Sequence, residues 1–333
     1  MGLSRISFIK KMTILLIVFF LSFILALKFG AATSSWQDVF SALFSSDKTE
    51  AGLILFEIRL PRILAGLLVG SALGMAGAMM QGMTRNPLAD PGLLGVSAGA
   101  LLMITIGQIF FPSLTYYGIM IFSFLGSLMG VVMVLSLGFL SRKPLTTMTL
   151  VLAGSAISAL FFALAQGLGL LFNVSKDVSM WTSGGLMSMT YLQVWFALPF
   201  VLLSALLALF LSKDITAIAL HEDVAVGLGL NIKRTKVLVY GLIALLTGIS
   251  VALVGALTFV GLMIPHLART LVGYDYKKII PMSFLIGAIF VALSDTLARL
   301  INKPYETPLI AIISVIGFPF FLWVIKQKTG GSL

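Results

Sequence analysis

The sequence predicts an all-α polytopic membrane protein with about ten transmembrane helices. Three observations point there. Of the 333 residues, 59% are hydrophobic and only 10% are charged, where a soluble domain carries about a quarter charged residues. Mean hydropathy is +1.10. Apolar runs of about one bilayer width recur along the whole chain, separated by short polar breaks. Cysteine is absent, which excludes disulfides, thiolate metal sites and cysteine nucleophiles. The two histidines, His221 and His266, lie too far apart in the pattern to suggest a metal site, and none is expected. A net charge of +10 would suggest nucleic acid as a partner of a soluble protein. Its distribution here follows membrane topology instead.

The first apolar run, TILLIVFFLSFILAL, stands behind Arg5, Lys10 and Lys11. It reads as an uncleaved first span rather than a signal peptide. It reaches Leu27, long for a signal core, and Gly30-Ala31-Ala32 is only a weak cleavage signal. Spans are placed at 12–29, 61–82, 93–111, 118–140, 145–171, 190–211, 237–254, 256–273, 279–299 and 307–325. With the amino terminus inside, most of the 22 Lys and Arg residues fall on one side, among them Arg85, Arg142, Lys143, Lys213, Lys233, Arg234, Lys236, Arg269, Lys277 and Lys278. That bias places both termini in the cytoplasm. Small residues crowd 66–82 (GLLVGSALGMAGAMMQG), which suits close helix packing. The stretches 71–95 and 250–273 share Gly and Ala spacing followed by a proline-bearing polar break. They suggest an inverted repeat relating spans 2–5 to spans 7–10.

Residues 213–236, KDITAIALHEDVAVGLGLNIKRTK, interrupt the apolar pattern most strongly. Ile215, Ile218 and Ala219 share one helical face, and Val224, Ala225 and Leu228 share another. Gly227 and Gly229 stop the second turn. Two short amphipathic helices outside the bilayer, sized for a groove on a partner, are expected; an ordinary solvated loop is the plain alternative. The break at 84–92, TRNPLADPG, is dense in turn formers, each proline forbidding helix in the residue before it. A rigid polar turn there suits either a gate or a simple tight connection.

Residues 59–100, RLPRILAGLLVGSALGMAGAMMQGMTRNPLADPGLLGVSAGA, resemble the signature of the permease subunits of type II ABC importers. That family moves iron–siderophores, haem and cobalamin. HEDVAVGLGL (221–230), VALVGALTFVGLMIPHLAR (251–269) and LSDTLARL (293–300) extend the resemblance over nearly the whole chain. It implies a single permease domain over 1–333, in the cytoplasmic membrane of a bacterium. Its partners would be a second permease subunit (a copy or a related chain), two cytoplasmic ATPase subunits and an extracellular substrate-binding protein. Within this frame 213–236 is the coupling segment, with Glu222, Ala225, Gly227, Leu228 and Gly229 touching the ATPase. Asn86, Leu88, Thr146 and Thr147 match cytoplasmic gates. Arg59, Arg62 and Arg299 match basic residues that receive acidic side chains of the binding protein.

The residues also offer plainer uses for several of these positions. Thr146 and Thr147 suit helix-start capping after Pro144, the three arginines suit snorkelling at span ends, and Asp295 stands at i,i+4 to Arg299 for a helical ion pair. No GxxxxGK[ST] occurs, so the chain cannot itself cradle nucleotide phosphates in a P-loop. The resemblance implies a transport subunit rather than an enzyme, with ATP and Mg on the partner ATPase. No convincing nucleophile–base set suggests an intramembrane enzyme. The family's commonest cargo, an iron(III)–siderophore, is expected ahead of haem or cobalamin. An ion-driven secondary transporter is the alternative of another class. It would need carboxylates deep within spans, and Asp295 is the nearest to one.

Overall fold

In a computed structural model the chain is described over residues 7–30, 35–37, 50–140, 147–182, 185–186, 189–303 and 305–329. Among these residues the regular structure is entirely helical. The helices are α1 (Phe8–Lys28), α2 (Ile54–Thr84), α3 (Val96–Phe110), α4 (Tyr116–Leu140), α5 (Thr147–Leu171), α6 (Ser175–Thr182) and α7 (Tyr191–Phe210). They continue with α8 (Ser212–Leu220), α9 (Glu222–Gly227), α10 (Ile232–Val254), α11 (Val260–Val272), α12 (Tyr276–Ile301) and α13 (Leu309–Thr329). Seven of these, α1, α2, α4, α5, α7, α10 and α12, are long and apolar enough to cross a membrane. The chain is thus a multi-pass membrane protein.

The expected spans at 93–111, 256–273 and 307–325 fall instead on shorter apolar helices, Val96–Phe110, Val260–Val272 and Leu309–Val324. Local chemistry explains two of these shortfalls. Before α3, Pro91–Leu94 winds as a 3-10 turn that Gly95 ends at φ 73°, a left-handed value that suits glycine. Before α11, residues 255–259 leave the helix, with Gly255 at φ 77° and Phe259 at φ 66°. The helix α6 was not foreseen in the sequence; Asn173, at φ 57°, turns the chain into it after α5 ends.

The centre of the bundle is α2. Of its most apolar window, 94% is buried, against 6% for α1. Composition explains the contrast. In lipid, apolar side chains gain little by leaving the acyl chains, so helices associate where small residues permit close approach. Gly70, Gly74 and Gly77 form a stripe at i, i+4 and i+7 along α2. A Cβ at Gly70 would strike the Gly287 carbonyl, one at Gly74 the Ser283 carbonyl, and one at Gly77 the Gly261 carbonyl. The backbone of α2 therefore lies directly on α11 and α12. Gly99 of α3 and Gly126 of α4 make the same kind of crossing. By contrast α1 buries only Ser22, Ala26 and Leu27, on the side facing α12, and exposes Ile17, Phe20 and Leu21. Prolines stand inside α7, α11, α12 and α13, which bundle packing tolerates because neighbours satisfy the freed carbonyls.

Candidate functional site

Polar chemistry gathers at the two ends of this bundle. One end brings together Lys11, Gln81, Arg85, the segment 212–236 and the α11–α12 junction. The Lys11 ammonium donates to the Leu271 carbonyl at 2.6 Å. The Tyr276 backbone N–H donates to the Thr216 hydroxyl at 3.0 Å, fixing α8 against the start of α12. The Arg269 guanidinium donates to the Gln81 amide oxygen. Glu222 accepts from the Lys236 ammonium at 2.9 Å and stands 3.9 Å from Arg85.

The segment 213–236 forms two short helices joined at His221, whose extended backbone ends α8 and starts α9. Ile215 and Ile218 are fully buried, so the expected inner face of α8 is real. The expected face of α9 is not one face. Ala225 is fully buried, whereas Val224 and Leu228 are 48% and 68% exposed. Six residues make fewer than two turns, and Leu228 lies past the end of α9, where helical spacing no longer applies. Closure follows glycine chemistry. The Leu230 N–H returns to the Ala225 carbonyl at 3.0 Å, and Gly229, at φ 79°, makes that return possible. Asn231 then caps α10, its side-chain oxygen accepting from the Arg234 N–H at 3.0 Å.

Among the five expected coupling residues, Gly227, Leu228 and Gly229 lie on the surface. Glu222 is half-buried in its ion pairs, and Ala225 points inward. Two exposed apolar residues were missed, Leu220 (66%) and Val226 (60%). Their signal was a hydrophobe on the polar side of each short helix, beside Ile218 in one and Ala225 in the other.

The gate loop follows α2. Arg85 leaves the helix at φ 52°. The Asn86 side-chain oxygen accepts from the Leu88 N–H at 3.0 Å, and the Ala89 N–H reaches the Asn86 carbonyl at 3.1 Å. Asn86 therefore shapes the turn, and Asn86, Pro87 and Leu88 are half-buried. The Asp90 carboxylate accepts from the Gly92 N–H at 2.7 Å. Burial raises the pKa of this carboxyl above the ordinary range, and the Gly92 bond opposes the shift. Thr146 lies outside the described residues, as does the side chain of Thr147, where α5 begins.

At the opposite end stand the three arginines expected to face a binding protein. All are buried: Arg59 is 4% exposed, Arg62 6% and Arg299 2%. Asp295, 2% exposed, lies between two of them, 2.8 Å from Arg62 and 3.0 Å from Arg299. Arg62 holds Glu306 at 2.8 Å through its other nitrogen. Arg59 donates to the Leu27 carbonyl at 2.9 Å and Arg299 to the Ala26 carbonyl at 3.3 Å, capping the end of α1. This arrangement differs from the snorkelling span ends read from the sequence as the plainer use, since all three side chains are buried. The guanidiniums are turned inward because carboxylates and helix-end carbonyls there are their nearest acceptors. The i,i+4 pair Asp295–Arg299 is present as expected. Among the described residues no cluster of three potential metal ligands occurs.

Comparison with known proteins matches residues 15–327 to the FecCD transport family. The iron-uptake system permease protein FeuB of Bacillus subtilis is 39% identical over 93% of this chain and 93% of its own length. The iron(3+)-hydroxamate import system permease protein FhuB of the same organism is 38% identical over 92% of this chain and 80% of its own. Among solved structures, a metal-chelate type ABC transporter in an inward-facing conformation superposes with a TM-score of 0.84 at 28% identity, covering 96% of this chain and 99% of that one.

Proposed function

This chain belongs to the FecCD transport family, and from that premise we propose that it is the membrane-spanning permease of an ATP-driven importer carrying an iron(III)–siderophore across the bacterial cytoplasmic membrane. The observation that carries the reading is the pair α8–α9. One side of α8 is packed onto α2 and α12 through Ile215 and Ile218, while Leu220, Val224, Val226 and Leu228 are left exposed beside it. An apolar strip on short helices at a charge-rich end suits the groove of a soluble partner. We assign that partner as the ATPase, with Glu222, Ala225, Gly227, Leu228 and Gly229 forming or shaping the contact. The sequence carries no P-loop motif, and on this reading work on the bundle arrives through this strip. Two ATPase subunits and a second permease subunit, a copy or a related chain, complete the complex.

The basic residues clustered at the α8–α9 end support placing it, and both termini, in the cytoplasm. Asn86, Leu88, Thr146 and Thr147 are assigned to the cytoplasmic gate. The rigid turn around Asn86 supports this, since a constriction needs a fixed backbone and side chains that exclude water without gripping the cargo. Arg59, Arg62 and Arg299 are assigned to the face that meets the extracellular binding protein. There a partner carboxylate reaches Arg62 by displacing Glu306, whose side chain is 25% exposed. An inverted repeat of spans 2–5 and 7–10 is supported by pairing: α2 lies on α12, and α10 lies on α4. The ion-driven alternative loses its carboxylate, because Asp295 is held between two arginines.

Transport into sealed vesicles tests this reading. Uptake of an iron(III)–siderophore should need ATP and the ATPase and should ignore an imposed ion gradient. Gly229→Pro, which cannot adopt φ 79°, should abolish uptake while membrane insertion persists. Gradient-driven uptake without ATP, or normal uptake by that variant, contradicts it.

A further inference from the structure

Between the end of α2, the helix α8 and the α11–α12 junction lies a cleft of about 420 Å³ that none of the roles above uses. Among the described residues its walls carry Arg85, His266 and Arg269 and no carboxylate. Arg269, half-buried, is held by two uncharged groups, the Gln81 amide oxygen and the Tyr276 hydroxyl. Among the described residues no acid pairs with it. Asp275, the nearest acid in sequence, is engaged with Lys278 at 3.3 Å. Arg85 reaches Glu222 only at 3.9 Å, and Glu222 is already bonded to Lys236 at 2.9 Å. Two arginines thus line one concavity, Arg269 half-buried with no acid against it among the described residues and Arg85 sharing the single charge of Glu222 with Lys236. The cleft therefore carries an excess of positive charge that an anion can match.

We propose that this cleft binds a phosphate group, carried either by an anionic lipid headgroup or by a free phosphate. Geometry on the rim bears on the first source. Tyr274 is 78% exposed at the mouth, with Lys277 and Lys278 just beyond it. An aromatic beside lysines is the usual furniture of a membrane interface, and basic pockets between helices on its cytoplasmic side take anionic headgroups. The leaflet rests on the orientation proposed above; the site itself does not. Because Arg85 links the cleft to Glu222, a bound anion also competes for the cation that touches the coupling segment.

The test uses the assembled transporter, stripped of lipid in detergent and titrated separately with phosphatidylglycerol, phosphatidylcholine and inorganic phosphate, with native mass spectrometry counting what stays bound. One saturable phosphatidylglycerol site, absent for phosphatidylcholine and weakened about tenfold by Arg269→Gln, supports a lipid headgroup. Saturable inorganic phosphate with the same loss supports the soluble source. If Arg269→Gln does not assemble, Arg85→Gln on the exposed side of the cleft decides in the same way. Absence of any saturable anion, or affinities unchanged in the variant that assembles, overturns the site. Labelling a single cysteine placed at Tyr274 from outside intact cells would contradict the orientation while leaving the binding result standing.

Discussion

The two ends of the bundle treat charge in opposite ways. At one, Arg59, Arg62 and Arg299 are buried, and Asp295, Glu306 and the last carbonyls of α1 receive them. At the other, Glu222, Lys233 and Arg234 stand at least partly in solvent, and apolar side chains lie open among them. The first end spends its polar groups on holding α1, α2 and α12 together. The second leaves bonding capacity and apolar surface for something outside the chain. A buried network such as this, three guanidiniums held by two carboxylates and helix-end carbonyls, resists change, because breaking one member strands another in a low dielectric. A partly solvated pair such as Arg85–Glu222 is worth little and can rearrange when a partner arrives. In the orientation proposed above, the arginine end is the outer one, a clamp that docking would have to open, and the α8–α9 end is the inner one, a handle.

The strongest way to break the comparison is Asp295→Asn. Removing that carboxylate strands the Arg299 guanidinium and half-empties Arg62, at a cost of about 3–5 kcal/mol. The purified variant should melt well below the wild type, or fail to accumulate in the membrane. Near-normal stability would mean that the outer network is not the clamp described. A smaller change sharpens the same point. Glu306→Gln removes the partner that a docking carboxylate must displace, and should tighten the binding protein's hold by roughly 0.5–1 kcal/mol, or several-fold in affinity. Titration of the binding protein onto the reconstituted complex measures it. Weaker docking would show instead that Glu306 belongs to the contact.

How far the sequence foretold this divides along the same line. The inner end was largely legible. The run KDITAIAL buries the isoleucines that its spacing nominated, and the glycine at 229 turns the chain as glycine there should. What failed was the second face, because α9 is too short for Leu228 to keep its helical phase. The outer end was legible only where its partners are close in sequence, as in Asp295 and Arg299. Arg62 meets Asp295 across 233 residues and Glu306 across 244, and no periodicity reports such distances. The burial of α2 was foreshadowed by its glycines and alanines, whereas which helices would lie on them was not. The cleft beside Arg269 was missed altogether, since its lining runs from Gln81 to Tyr276 over two span ends and the breaks beside them, which no local pattern brings together.

The central claim is that α8 and α9 carry force from an ATPase to the bundle. Co-purification of the ATPase with a Val226→Asp, Leu228→Asp double variant tests it most directly, since both side chains are exposed and neither supports the fold. The account predicts a correctly inserted permease that still receives its binding protein, has lost the ATPase and no longer takes up cargo with ATP. A variant that retains the ATPase at wild-type yield and transports normally would contradict it.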